Sequence, residues 1–401
     1  MRNGNSARPR IAVDTWVLGS NCAHHGVNVY CRKLLAAFRE LAPQYSVEVV
    51  PYLDNTKPGS SETDYSVAFR PRVTRLLSHS RLWRFGGAQA RAALDGADVI
   101  FNPHCTTLYV GFPSPVVTTI HDVIPVVLPW KSPHVRTLRF LLWAAARASR
   151  AIITVSQHSK SDLIRLYGID EERIHVVYNG CDHEAFNCIP PEADLLQKAL
   201  SKIGVERPYL FHCGAIKANK NLKRLILAYR SLLARNPGRD LALILAGTPD
   251  SAQDEVAREA AGSGGRVILT GAVDQTDLVL LTKGAELAVF PSLYEGFCMP
   301  MVEAMACGVP TIAASVSCLP EISGGVLRYF DPESVEEMSM CMEAALTSNE
   351  LRRQLSVEGV RRGKQFDWRR CAEQTLGLLA RCAGVKERRE SQIDELAVRA
   401  L

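Results

Sequence analysis

The 401-residue chain has no Cys-x-x-Cys pair, no Asp-x-Asp pair, and nothing near the roughly 18 consecutive apolar residues that a membrane-spanning helix needs. Its twelve cysteines are scattered, without zinc-like spacing or the framework of a small disulfide-stapled domain. Several, such as Cys213 and Cys307, sit inside apolar runs, where reduced cysteine acts as a small hydrophobe. That usage suits a reducing cytosol, so a cytoplasmic location is expected. The basic N-terminus MRNGNSARPR precedes IAVDTWVL, a run that Asp14 interrupts, so it reads as a first strand and not as a signal core. A net charge of +5 is too mild to call for nucleic acid, and it leaves room for a polyanionic ligand or an acidic membrane surface.

What is present is a soluble globular composition, 47% hydrophobic and 22% charged, in a chain long enough for two or three cores. Short apolar runs alternate with amphipathic stretches from end to end. Strands are expected at 10–14, 47–52, 98–101, 116–120 and 151–155, then at 209–213, 241–246, 266–270, 287–290 and 310–314. Helical patterns fall between them at 217–235, 252–261, 276–285 and 300–307. This α/β rhythm implies parallel sheets covered on both faces. It breaks at 179–208, with Asn179-Gly180, Pro190-Pro191 and a polar helix at 192–203, which marks a domain linker. Two doubly wound, Rossmann-like domains are expected, 1–185 and 186–365. They would face each other across a cleft at the carboxyl ends of their strands. The remainder, 366–401, reads as a helix plus a charged tail.

The stretch PSLYEGFCMPMVEAMACG at 291–308 concentrates the chemistry. Pro300 fits the first turn of a helix, where its missing N–H costs nothing. The free amides near Met301 and Val302 would then attract a phosphate. Gly296 lets the backbone approach a ligand closely. Glu303, in that same first turn, would repel a phosphate but accept hydrogen bonds from a vicinal diol such as ribose. Glu295 lies one loop away. Spacing alone leaves open an ordinary strand–loop–helix connection with solvated carboxylates.

The same stretch resembles the paired-glutamate signature of the retaining glycosyltransferases of family 4, which have the two-domain GT-B architecture. The likeness is collinear over residues 10–382. TIHDVIPVVLP at 119–129 is similar to the family's acceptor-side His-Asp motif, and TVSQHSKSDLIRLYGI at 154–169 to the segment after it. VVYNGCDHEAFN at 176–187 resembles the crossing into the second domain, and GAIKANKNLKRLILAY at 214–229 the phosphate-contacting Lys-Asn segment. AGTPD at 246–250, ILTGAVDQTDL at 268–278 and FDWRRCAEQTL at 366–376 follow in order, the last as the helix that closes back on the first domain.

The resemblance implies transfer of a hexose, mannose or glucose, from a nucleotide diphosphate sugar to a saccharide or lipid-linked acceptor in polysaccharide or glycolipid synthesis. GDP-mannose is favoured over UDP-glucose as donor. With no Asp-x-Asp pair to hold a metal, and no other cofactor expected, fixed positive charge must stabilise the departing diphosphate. Lys220 takes that role by resemblance, beside Gly214. His121 would stabilise and orient the sugar, and Glu295 with the backbone of Gly296, Phe297 and Cys298 would meet its hydroxyls. Glu303 would hold the ribose, Met301 and Val302 would give amides to phosphate, and Gly271 with Val273 would meet the base. Gly26 marks the first-domain loop beside the donor phosphates. Three positions depart from the pattern: Ala215 and Asn219 stand where basic residues are common, and Cys298 where glycine is usual. These motivate a second reading, a noncatalytic sugar-nucleotide or glycan-binding descendant. Residues 70–91 carry six arginines and no acid, which suits either a solvated helix face or peripheral contact with an anionic membrane.

Overall fold

The computed structural model describes residues 8–19, 26–52, 96–105, 113–128, 135–206, 208–264 and 266–385. The arginine-rich stretch 70–91 and most of the charged tail lie outside the described residues.

Two six-stranded sheets carry the fold, and every strand pair in them is parallel. The first comprises β1 (Arg10–Asp14), β2 (Glu48–Tyr52), β3 (Val99–Asn102), β4 (Val116–Ile120), β5 (Ala151–Thr154) and β6 (Ile174–Val176), in the order β2-β1-β3-β4-β5-β6. The second comprises β7 (Tyr209–Cys213), β8 (Ala242–Ala246), β9 (Val267–Gly271), β10 (Leu287–Phe290), β11 (Thr311–Ala314) and β12 (Arg328–Phe330), in the order β12-β11-β10-β7-β8-β9. The ten expected strands are all present, within a residue at each end. The two that were not expected, β6 and β12, are edge strands of three residues, too short to show a period of their own.

The central strands are apolar on both faces because helices cover both sides. In β10 every residue from Leu287 to Phe290 is at most 1% exposed, and Ile312 to Ala314 in β11 are fully buried. In the second sheet the order reverses between β7 and β10, and in the first between β1 and β3. A doubly wound sheet opens a crevice at such a switch point, at the carboxyl ends of the two diverging strands.

The chain crosses between domains twice, and the crossings lie side by side. The Cys181 amide donates to the Phe366 carbonyl at 3.1 Å, and Cys181 forms a parallel bridge with Asp367. A side chain at Gly180 would fall 2.3 Å from the Trp368 backbone nitrogen, so only glycine fits there. Asp367 caps the final helix, Trp368–Cys382, by accepting from the Arg370 amide at 2.9 Å. That helix buries Cys371, Ala372, Leu376 and Leu379 in the first domain's core, with Leu34 and Phe38 of the helix Gly26–Leu41.

Candidate active site

The site forms where β7 and β10 diverge. After β7 the chain turns through Gly214, makes a short 3₁₀ turn at Ala218–Lys220, and enters the helix Leu222–Arg235 through Asn221, which has a left-handed backbone (φ 57°). The continuous helix expected from 217 is therefore broken in two. Two asparagines fix the break against the loop after β10. The Asn219 side-chain amide donates to the Tyr294 carbonyl at 3.1 Å, and the Asn219 backbone carbonyl accepts from the Leu293 amide at 2.8 Å. Asn221 donates to the carbonyls of Pro291 at 3.1 Å and Pro332 at 2.7 Å. The uncharged residue at 219 thus has a buried anchoring role that a lysine or arginine could not fill.

That clamp brings Lys220 to Glu295. The Lys220 Nζ donates to Glu295 Oε1 at 2.6 Å, with side-chain exposures of only 13% and 9%. Burial works against the lysine's charge, but the adjacent Glu295 carboxylate overrides it, and the ammonium is held well above its ordinary pKa. Glu295 Oε1 also accepts from Ser292 Oγ at 2.6 Å. Ser317 secures the same residue's backbone, accepting from its amide at 3.0 Å and donating to its carbonyl at 2.7 Å. Gly214 (φ 153°) lies against the lysine: a side chain there would come within 3.2 Å of Lys220 Cε and 3.4 Å of Nζ.

Across the cleft, His121 follows β4. Its Nε2–H donates to the Pro103 carbonyl at 2.9 Å, and its ring meets Tyr30 edge-on at 4.7 Å. Burial, reinforced by neighbouring His104, outweighs that hydrogen bond and lowers its pKa to about 4, so the imidazole is neutral at physiological pH. Asp122 is pushed up by burial and by the charge of Glu295, against the pull of the Ile124 amide and of Lys217 and Lys220.

Several expectations need correction. Gly296 is required by the neighbouring domain, a constraint that the sequence did not show: a side chain there would sit 2.0 Å from the His121 carbonyl oxygen. The helix runs Met299–Ala306, one residue earlier than expected, with Pro300 at its second position. The Met301 amide donates to the Cys298 carbonyl at 3.1 Å, so one of the two amides expected to serve a phosphate already has a partner. The side chains of Met301, Val302 and Phe297 are buried, the last packed against Phe366 at 5.3 Å. Only backbone atoms of these residues could face a donor.

Cys298 adopts φ 68°, ψ 64°, the left-handed conformation in which glycine is at home. Glu303 is pushed up to about 7 by burial and by Asp182, with Lys33 opposing. Lys33, from the first domain, in turn pairs with Asp182 at 2.6 Å. Gly26 faces the start of the Met299–Ala306 helix, with Met299 Cε 3.1 Å from where its side chain would be. Gly271 (φ 69°) ends β9 with open space where a side chain would stand, and Val273 packs nearby under the same loop.

Two features escaped sequence reasoning. His212, in β7, is fully buried with Nδ1 bonded to the Val289 carbonyl at 2.9 Å. The signal was a histidine in the otherwise apolar run YLFHC, immediately before the glycine turn. Glu321 reaches from the second domain to the amides of Gln157 and His158 at 2.7 and 2.9 Å, at the start of the helix Gln157–Tyr167. No local pattern announces that contact, which joins residues 163 and more positions apart.

Two facing doubly wound domains with a buried lysine–glutamate pair in the cleft define a GT-B-type sugar-transfer fold. The family model for glycosyl transferases group 1 matches residues 196–362, and that for glycosyltransferase family 4 matches residues 24–185. The O-antigen chain mannosyltransferase B of Escherichia coli is 31% identical over 340 residues, covering 82% of this chain and 87% of that one. The serotype-specific mannosyltransferase WbdA, also of Escherichia coli, is 29% identical over 280 residues, 67% of this chain but only 34% of its own length. Among solved structures, sucrose-phosphate synthase from Thermosynechococcus elongatus superposes with a TM-score of 0.75 at 20% identity, covering 94% of this chain and all of that one. Anabaena HepE, in complex with UDP and glucose, superposes with a TM-score of 0.69 at 20% identity, over 93% and 99% of the two chains. The chain belongs to glycosyltransferase family 4 and is a hexosyltransferase.

Proposed function

We propose that this enzyme transfers mannose, with retention of anomeric configuration and without a metal, from GDP-mannose to a saccharide or lipid-linked acceptor in surface-glycan synthesis. The observation that carries this reading is the buried Lys220 ammonium at the switch point of the second sheet. Leaving-group departure from a nucleotide diphosphate sugar needs a fixed positive charge in a dry site, where it acts far more strongly than in water. Lys220 supplies it, and Glu295 holds that charge in place until the donor arrives. The sugar hydroxyls then take over the Glu295 carboxylate and the diphosphate takes over the lysine. His121, neutral and tied through Nε2, orients the sugar and is not the base that inversion would require. Mannose rests on the mannosyltransferase relatives, and a nucleotide donor on the fold neighbour that holds UDP and glucose.

The same proposal includes peripheral contact with an anionic membrane. Its support comes from a described face, not from 70–91. On the helix Val135–Ala148, Phe140 and Trp143 stack at 5.9 Å while 55% and 46% exposed. No Asp or Glu occurs from 123 to 161, whereas Arg136, Arg139 and Arg147 share the exposed side. Among the described residues no helix is long and apolar enough to cross a membrane. Sedimentation with phosphatidylglycerol vesicles tests the contact, which F140S/W143S should abolish.

Calorimetric titration of GDP, UDP and ADP in the presence of EDTA tests the donor site. Selective GDP binding supports the reading, UDP selectivity shifts it to a glucosyl or related donor, and no binding overturns it. Proton NMR of the first-formed anomer then decides retention.

A further inference from the structure

His212 is an unexplained group in an otherwise explained site. A carbonyl oxygen can only accept, so the bond to Val289 fixes the ring proton on Nδ1 and leaves Nε2 as a bare acceptor. That Nε2 is buried and has no hydrogen-bond partner. Such an atom in a native interior calls for a donor that is absent in the state observed. A candidate lies close by: the point where a Gly214 side chain would stand is 3.5 Å from His212 Nε2 and 3.4 Å from Lys220 Nζ, so both nitrogens border the space that glycine leaves clear. The Lys220 ammonium has three protons, and Glu295 takes one of them at 2.6 Å.

We propose that His212 is a positioning residue, the second acceptor for the Lys220 ammonium, which engages when the donor diphosphate draws Lys220 away from Glu295. This rests on the reading above that Lys220 meets the donor diphosphate. A carboxylate partner holds the lysine but cancels its charge. A neutral imidazole holds one N–H and leaves the full positive charge for the phosphates. Burial, and then the charge of Lys220 itself, lowers the His212 pKa to about 3, which keeps it a neutral acceptor throughout the working range. Gly214 gains a purpose as well, since a side chain there would fill space that both nitrogens border.

Three variants at position 212 separate this role from packing. His212→Asn keeps a donor for the Val289 carbonyl and removes the acceptor at Nε2. His212→Gln places a side-chain oxygen near Nε2. His212→Phe keeps the ring without any acceptor. The probe is inorganic pyrophosphate, titrated by calorimetry into the full-length protein, with thermal melting recorded for each variant and Lys220→Met as reference. His212→Asn and His212→Phe should weaken pyrophosphate about tenfold, the size of one lost charge-assisted hydrogen bond, and His212→Gln should recover most of it. If Lys220→Met weakens pyrophosphate but no position-212 variant does, the role of His212 is overturned and the donor reading stands. Equal weakening by Gln, Asn and Phe would make His212 a packing residue and also overturn it. If the wild type does not bind pyrophosphate, or Lys220→Met binds it as well as wild type, both fall together.

Discussion

Where the first sheet meets the cleft, Tyr30 and Thr119 share a hydrogen bond at 3.1 Å, His121 is spent on a backbone carbonyl, and the carboxyl there, Asp122, is pushed up by burial. The second sheet meets the same cleft with a full ion pair in a nearly dry setting. Its lysine comes from the turn after β7, and its glutamate from the loop after β10. On the reading proposed above the cleft divides the work: His121 on the first wall orients the sugar, and Lys220 on the second supplies the field. Isolated buried charges are expensive, which is why the charged wall is braced by Ser292, Ser317, Asn219 and Asn221.

The sharpest way to break that division is to compare Lys220→Ala with His121→Ala. Loss of the lysine should lower kcat by about 10²-fold or more, as for loss of one preorganised donor, and loss of the histidine by roughly tenfold. Steady-state rates with the donor found by calorimetry check this, and a larger effect at His121 would reverse the assignment. Lys220→Ala also strands the Glu295 carboxylate, at a stability cost of about 3 kcal/mol. Rates therefore need comparison at a temperature where both variants are folded.

A smaller effect is expected at Glu303, whose pKa rises from 4.5 to about 7 through burial and Asp182. A raised carboxyl pKa means that the folded state holds the proton more tightly than the unfolded chain. The contribution of Glu303 to stability therefore falls as pH rises between about 4.5 and 7, by no more than about 3 kcal/mol, and the penalty is complete above 7. His121 and His212, whose pKa values are lowered, contribute with the opposite sign in wild type and variant alike, so the test is the difference between the two proteins: Glu303→Gln should gain in urea midpoint relative to wild type on going from pH 5 to pH 8. Nucleotide affinity in the wild type should rise over the same interval, because ribose hydroxyls donate to the ionised carboxylate. A pH-independent affinity would remove Glu303 from the ribose.

The smallest effect concerns backbone preference. Cys298→Gly trades a buried side chain against relief of a left-handed backbone, so its unfolding free energy should change by less than about 1 kcal/mol. Cys307, equally apolar in setting but at φ −73°, has no such relief, and Cys307→Gly should cost about 2 kcal/mol. Equal losses at both positions would mean that the charged wall is not held against local preference.

The ten longer strands were legible because each is built around a short apolar run, most of it buried, and the helices because their periods are long enough to count. Lys220, Glu295 and His121 were singled out through the family resemblance, not through spacing, and what the structure adds is the pairing of Lys220 with Glu295. The sequence also marked Gly296 and Pro300 as special, but showed nothing of the domain contact at the glycine. That gap has a physical cause: a close approach is visible in sequence as a glycine, while the identity of what approaches is not. For Gly296 it is a carbonyl from a residue 175 positions away.

Local chemistry thus determined the alternation of strands and helices, the two-domain plan and the glycines that turns demand, since each depends on neighbours within a few residues. Tertiary structure alone decided that Lys220 and Glu295 neutralise each other, that Asn219 is an anchor, and that Glu321 clasps the first domain. It also left one buried nitrogen of His212 without a hydrogen-bond partner. Those outcomes depend on which strand ends are brought together at the switch point, and burial and charge act there across distances that no window of sequence spans.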